Sequence, residues 1–362
     1  MKQKYIITSI SVVAFFLLFS VWSWIKPENE FSKSERRKLS QSPEISASSL
    51  TSGNFMTKFE DYTLDQFPLR DLFRNIKAMS ENFIFHKSDN NDLYTYNGHI
   101  SQMQYPMNTE SIKYATDRFR YVYDKYLMNS NVYTAVIPDK NHFMASQSGH
   151  LFFDYEEFVD AYLQDMSFAK YIDVVPYLSL NDYYKTDTHW RQENITDVAD
   201  VLLKEMGSQC ETVYAVNELT DSFYGVYYGQ LALPVQPETI KYLTNDAFKD
   251  CVIYDYEHAV EIEMYDLTKS DSNDPYEVFL SGPLSLITIT NSNAVTNKEL
   301  VLFRDSFGSS IAPLFAHAYN KITLIDIRYI TPNVLGRYVD FDGADVLFLY
   351  STLVLNNSEV IK

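Results

Sequence analysis

The sequence predicts an α/β protein: a parallel sheet flanked by helices, behind an N-terminal transmembrane helix and interrupted by an inserted β-rich segment. Three observations predict it. Short continuous apolar strands alternate with helices through the last third of the chain, as in a parallel sheet covered on both faces. Residues Tyr5 to Ile25 form an apolar run without a charge. Between about 208 and 298, polar turns such as Asp271-Ser-Asn-Asp-Pro275 separate short β-prone runs and break the alternation.

The uncharged run is 21 residues long, enough at about 1.5 Å per residue to cross a hydrocarbon core of about 30 Å. Trp22 and Trp24 stand near one end, where interfacial aromatics gather. A cleaved signal peptide is the competing reading, but its apolar region is normally shorter, and no A-x-A-like site precedes Lys26. Lys2 and Lys4 precede the run, while Lys26, Lys33, Arg36, Arg37 and Lys38 follow it. That count does not favour an N-inside arrangement, and long domains translocate regardless of it. The chain thus reads as a cytoplasmic tail over 1–4, a single-pass signal anchor over 5–25, a tether over 26–53 and one domain over 54–362. The insertion at about 208–298 lies inside that domain.

The tether is expected to be flexible because Ser40 to Gly53 is serine-rich around Pro43. Behind Pro68, a residue suited to a helix start, Leu72, Ile76, Met79 and Phe83 recur at helical spacing. Ser111 to Leu127 reads as helix, and Val132 to Ile137 as a buried strand stopped by Pro138. Ile195, Val198, Leu202 and Met206 share one face of a helix over Asn194–Met206 that ends at Gly207. Leu300–Phe303, Ile322–Ile325 and Val346–Tyr350 are strands, separated by helices over Ile311–Tyr319 and Pro332–Tyr338.

Composition narrows the function classes. A net charge of -18 and a pI near 4.7 repel phosphate backbones and exclude nucleic-acid binding. The 29 Tyr and 24 Phe are core material, with sugar platforms as the second reading. The two cysteines, Cys210 and Cys251, make no C-x-x-C pair; one disulfide or two separate thiols are both open.

Two short motifs carry chemistry. Ser306 follows a strand directly, in Phe303-Arg-Asp-Ser-Phe-Gly308, at the carboxyl end of the sheet where open α/β folds bind ligands. Gly308 gives the turn backbone freedom, and Pro313 is expected to push the following helix start to Ser309 or Ser310. A serine here also reads as a plain helix cap. In Asp187-Thr-His189-Trp190, residues two apart share a face if the segment is extended. The carboxylate can then accept from His189 Nδ1–H and leave Nε2 free to take a proton from a serine. A helix cap at Asp187 and a D-x-H metal pair are the alternatives, the latter without a third ligand at a diagnostic spacing. The other six histidines, His86, His99, His142, His150, His258 and His317, read as structural or solvated, and Lys140 as a loop charge.

The two motifs together resemble the DHHW family, placed with the alginate O-acetyltransferase-like members of the SGNH hydrolase superfamily in which the Asp and His precede the Ser. Further matching pieces are Phe59-Glu-Asp-Tyr62, Asp65-Gln-Phe-Pro-Leu-Arg-Asp71, Ile137-Pro-Asp-Lys140, Tyr276-Glu-Val-Phe-Leu-Ser-Gly282 and Ile325-Asp-Ile-Arg-Tyr329, so the likeness spans about 36–355. The resemblance implies an SGNH-hydrolase-like fold, Ser306 as nucleophile, His189 as general acid/base and Asp187 as its orienting carboxylate. It implies O-acetyl transfer to an exported polysaccharide outside the membrane, beside a membrane-bound O-acyltransferase that supplies acetyl groups, with no cofactor or metal. A carbohydrate acetylesterase and a non-catalytic glycan-binding subunit of an export complex are the rival readings. Arg304 stands where the G-D-S block has Gly, and no block-III Asn is identifiable. Oxyanion and substrate contacts are therefore expected from the Ser306 N–H, the Gly282 N–H, Arg328 or Tyr329, with Trp190 beside the loop or against a sugar ring.

Overall fold

The structure, a computed structural model, describes residues 2–32, 34–208 and 212–362. Two compact units form, one from residues 1–91 with 228–235, the other from 92–227 with 236–362. The choice between a Cys210–Cys251 disulfide and two separate thiols falls on Cys210, outside the described residues.

The larger unit is built on an eight-stranded sheet. Its strands, numbered in chain order, are β1 Asn131–Ile137, β2 Lys170–Tyr171, β3 Cys251–Asp255, β4 Val260–Ile262, β5 Leu286–Asn291, β6 Glu299–Arg304, β7 Lys321–Ile325 and β8 Asp345–Ser351. They lie in the order β4-β3-β5-β7-β6-β8-β1-β2. The run from β7 to β2 is parallel, and β5, β3 and β4 extend it with antiparallel pairing.

Strand alternation explains why the parallel strands read as continuous apolar runs. In β6, Leu300 and Leu302 enter one core while Val301 and Phe303 enter the other. In β8, Leu347 and Leu349 oppose Val346, Phe348 and Tyr350 in the same way. Helices Thr196–Glu205 and Phe307–Phe315 cover the first face; Thr109–Tyr126 and Tyr155–Asp165 cover the second. Both faces are buried, so neither strand needs a polar side.

The segment expected as an insertion supplies β3, β4 and β5 to this sheet. It also supplies a separate antiparallel hairpin, Ala215–Phe223 with Glu238–Thr244. The helix after β6 starts at Phe307, earlier than Pro313 suggested. Pro313 is tolerated because only the Ser309 carbonyl loses its i+4 donor, and the helix closes two residues later with tighter bonds such as Ala316 N–H to the Pro313 carbonyl at 3.1 Å.

In the smaller unit, Lys2–Ile25 is one helix, and its Gln3–Ile25 stretch is long and apolar enough to cross a membrane. The stretch expected as a tether carries a short antiparallel pair, Phe31–Ser32 with Arg37–Lys38. Charge pairing organises it: Arg37 bonds Asp65, whose carboxyl it holds down at about 2, and the Ser40 N–H donates to the same carboxylate at 2.9 Å. Ser46 then caps the short helix Ala47–Thr51. Serine here serves helix capping.

Candidate active site

Ser306 sits where β6 ends and its helix begins, half-buried, with helical backbone angles and no capping bond from its side chain. The neighbouring Asp305, fully buried, fixes this turn. Its carboxylate accepts from the Phe307 N–H at 3.0 Å and from the Ser351 N–H and hydroxyl at 2.8 and 2.6 Å, tying the loop to the carboxyl end of β8. Gly308 is required by space, since a Cβ there would lie 2.5 Å from the Arg304 Cβ. The Ser306 N–H engages no acceptor among the described residues.

The Asp187-Thr-His189 segment is non-helical, as a loop of bends rather than the extended stretch on which the shared-face argument was built. His189 Nε2 stands 2.7 Å from Ser306 Oγ, and His189 Nδ1 stands 2.6 Å from Asp187 Oδ1. Asp187 is buried and its Oδ2 accepts the Val226 N–H at 2.8 Å. With Oδ2 so engaged and Oδ1 also accepting the His189 N–H at 3.1 Å, the carboxylate is held as an acceptor only. A proton on Nδ1 follows, and Nε2 is left as the basic lone pair facing the serine.

The loop itself is clamped from the insertion. Glu238, at the start of the second hairpin strand, accepts from the Lys185 N–H at 2.7 Å, the Thr186 N–H at 2.7 Å and the Thr186 hydroxyl at 2.8 Å. Gly225 donates its N–H to the Thr186 hydroxyl oxygen at 2.9 Å, and a Cβ on Gly225 would fall 2.3 Å from the Asp187 backbone. From the other side, the Tyr276 ring stacks on the imidazole with centroids 3.9 Å apart and planes at 10°. Its hydroxyl donates to Ser310 Oγ at 2.8 Å, and burial raises the phenol well above its ordinary value, so it remains a donor.

The remaining residues singled out in the sequence are placed as follows. Trp190 is fully buried; its indole N–H donates to Ser310 Oγ at 2.8 Å and to the Phe307 carbonyl at 3.2 Å. It braces the helix behind Ser306, and no face of it is open to a sugar. Arg328 is engaged by Asp326 through two contacts of 2.9 and 2.6 Å, and Tyr329 lies exposed beside it. The Gly282 N–H already donates to the Phe279 carbonyl at 3.3 Å within a turn at φ 92°.

Lys140 is the largest surprise. Only 1% exposed, it donates to the Tyr184 and Lys185 carbonyls at 2.9 and 3.1 Å and sits 5.1 Å from the Tyr227 ring centroid. Burial pushes its ammonium down to about 7, against the pull of Asp187, Glu238 and Asp139. The sequence carried this lysine in Ile137-Pro-Asp-Lys140, but nothing there separates a buried cation from a loop charge. Tyr276, Glu238, Gly225 and Asp305 were likewise given no role, and only Asp305, beside the serine, and Tyr276, at the head of a piece matching the DHHW family, offered a signal.

No family model matches the sequence, and no curated protein matches it. Solved structures do. A DHHW family protein from Eubacterium siraeum aligns with a TM-score of 0.60 at 17% identity, covering 74% of this chain and 93% of its own. PatB1 of Bacillus cereus aligns with a TM-score of 0.56 at 17% identity when carrying a sulfonyl adduct, covering 73% and 97%. A second PatB1 structure gives 0.54 at 18% identity, over 73% and 96%. These likenesses concern the fold: the chain shares the mixed α/β fold of the DHHW family protein, as its two short motifs led us to expect.

Proposed function

We propose that the chain is a membrane-anchored serine acyl-transfer enzyme acting outside the membrane, and that it transfers acetyl groups to hydroxyls of an exported polysaccharide. The observation that carries this reading is the hydrogen-bonded series Asp187–His189–Ser306, with His189 Nε2 2.7 Å from Ser306 Oγ. PatB1, which shares the fold, was solved with a sulfonyl adduct; sulfonyl groups are trapped by activated nucleophiles, which fits a reactive serine.

In the proposed reaction His189 Nε2 takes the Ser306 hydroxyl proton while Oγ attacks the acetyl carbonyl carbon. Asp187 stabilises the imidazolium that forms. In this reading the Ser306 N–H, which engages no other acceptor among the described residues, donates to the tetrahedral oxyanion, a contribution of about 2.7–4 kcal/mol per donor. His189 returns its proton to the leaving group, and acetyl-Ser306 remains. A sugar hydroxyl then gives its proton to His189 and attacks the acetyl carbon, and His189 passes that proton to Ser306 Oγ as the Oγ–acetyl bond breaks. A membrane-bound O-acyltransferase is the proposed source of acetyl groups. With water as acceptor the same residues make a carbohydrate acetylesterase.

The test is the full chain in detergent micelles, given an activated acetyl ester and an oligosaccharide. Acetylated sugar supports the transferase, and free acetate alone supports the esterase. If Ser306→Ala retains either activity, the serine mechanism is wrong. The outward orientation predicts that protease added to intact cells cleaves the larger unit; full protection contradicts it.

A further inference from the structure

The helix Arg70–Met79 and the turn that continues it to Ile84 are inside out. In a water-soluble protein an amphipathic helix buries its apolar stripe and exposes its charges. Here the charged side is the one that packs. Arg70 and Arg74 both pair with Glu35, Arg74 also donates to the Gly229 carbonyl at 2.7 Å, and Ala78 is buried between them and Glu81. The apolar side, whose spacing in the sequence suggests a core contact, faces outward: Leu69, Leu72, Ile76, Met79 and Phe83 are 43–60% exposed. Ile84 and Phe85 continue the surface at 68% and 69%.

What covers this face is indicated by what it already touches. Phe67 and Phe73 stand at its edge, and both pack on Phe19 of the N-terminal helix, with ring centroids 5.5 and 5.7 Å apart. Phe19 lies six residues before Ile25, so at about 1.5 Å per residue the contact falls about 9 Å inside the end of the apolar run. The surrounding apolar residues of that helix are exposed as well. The outward face of 67–85 is therefore continuous with a surface whose length and composition suit lipid, and it meets that surface at a depth inside the span.

We infer that the apolar face of residues 67–85 lies in the interfacial layer of the membrane crossed by Gln3–Ile25, making a second, monotopic contact beside the anchor. Such faces settle about 5–10 Å into the headgroup and acyl boundary. The contact fixes the smaller unit at the membrane surface rather than leaving it to swing on a single helix. It rests on reading Gln3–Ile25 as a membrane span, and the experiment separates the two.

The full chain, with Cys210→Ser and Cys251→Ser, receives one cysteine for an environment-sensitive fluorophore. The positions are Leu17→Cys in the span, Ile76→Cys and Phe83→Cys on the face, and Lys113→Cys on an exposed helix of the larger unit. Each is reconstituted into phosphatidylcholine vesicles containing lipid nitroxides placed high or deep on the acyl chain. Probes at 76 and 83 should be quenched by the shallow nitroxide about threefold or more beyond the probe at 113, while the probe at 17 responds to the deep one. Quenching at 17 without quenching at 76 and 83 overturns the inference and leaves the anchor standing. A blue-shifted but unquenched probe at 76 and 83 means that protein, a second copy or another chain, covers the face; this also overturns it. No quenching at 17 removes the anchor and the inference together.

Discussion

Neutralising Asp187 while keeping its shape tests how the imidazole is held. In Asp187→Asn, one side-chain oxygen becomes an NH2. If the remaining oxygen faces His189 Nδ1, the NH2 meets the Val226 N–H across the 2.8 Å separation now bridged by Oδ2. Two donors then face each other in a buried site, at a cost of about 1–3 kcal/mol. If the amide flips, its oxygen satisfies Val226 and its NH2 faces Nδ1 across 2.6 Å. Nδ1 must then accept, the imidazole proton moves to Nε2, and the nitrogen facing Ser306 Oγ at 2.7 Å is no longer a base. The flipped NH2 also meets the His189 N–H, but across 3.1 Å rather than the 2.8 Å at Val226, so the second arrangement is the less strained; the fold should survive while reactivity falls by about 10³–10⁴-fold. The assay is the second-order rate at which phenylmethanesulfonyl fluoride labels Ser306, followed by intact mass, with a thermal melt alongside. A well-folded variant labelled within about tenfold of wild type would refute the tautomer argument.

Three further outcomes are expected. Lys140 has its folded pKa lowered to about 7 from 10.5, so its contribution to stability is complete above the unfolded value and is lost as pH falls towards about 7. Lys140→Met should therefore cost less in urea midpoint at about pH 6 than at about pH 9, and a larger loss at the lower pH contradicts the burial argument. Gly225→Ala would place a Cβ 2.3 Å from the Asp187 backbone; it should destabilise by about 1–3 kcal/mol and slow Ser306 labelling, whereas wild-type behaviour in both would show the loop to be pliable. Tyr276→Phe keeps the 3.9 Å stack on His189 and loses only the bond to Ser310. It should cost about 1 kcal/mol with labelling near wild type, while Tyr276→Leu should slow labelling by more than about tenfold; equal damage from both contradicts a role for the stack.

The sheet was legible where burial on both faces leaves an unbroken apolar signature, as in Val301–Phe303 and Val346–Tyr350. It was not legible at β3 to β5, because strands such as Cys251–Asp255 are short and mix buried with exposed positions. The three residues brought together at the site were visible because a two-residue spacing and a strand end are local facts. Their supports were not. Glu238 lies 52 residues from Thr186 in sequence, and only the hairpin brings it back. Trp190 shows the limit of residue type as a guide: an aromatic beside a reactive loop is compatible with a sugar platform until its burial is known. The helix behind Pro68 was foreseen with the right apolar spacing. Periodicity marks which residues share a face, and it cannot say whether water, protein or lipid lies against that face.

The central claim is that Ser306 carries the acyl group, and trapping the intermediate addresses it most directly. Wild-type chain mixed with excess activated acetyl ester and quenched in acid should yield a Ser306-containing peptide heavier by one acetyl group. Ser306→Ala should yield none, and His189→Ala should accumulate it far more slowly. Release of acetate or acetyl-sugar with no acetyl on Ser306, or unchanged turnover by Ser306→Ala, would contradict the account.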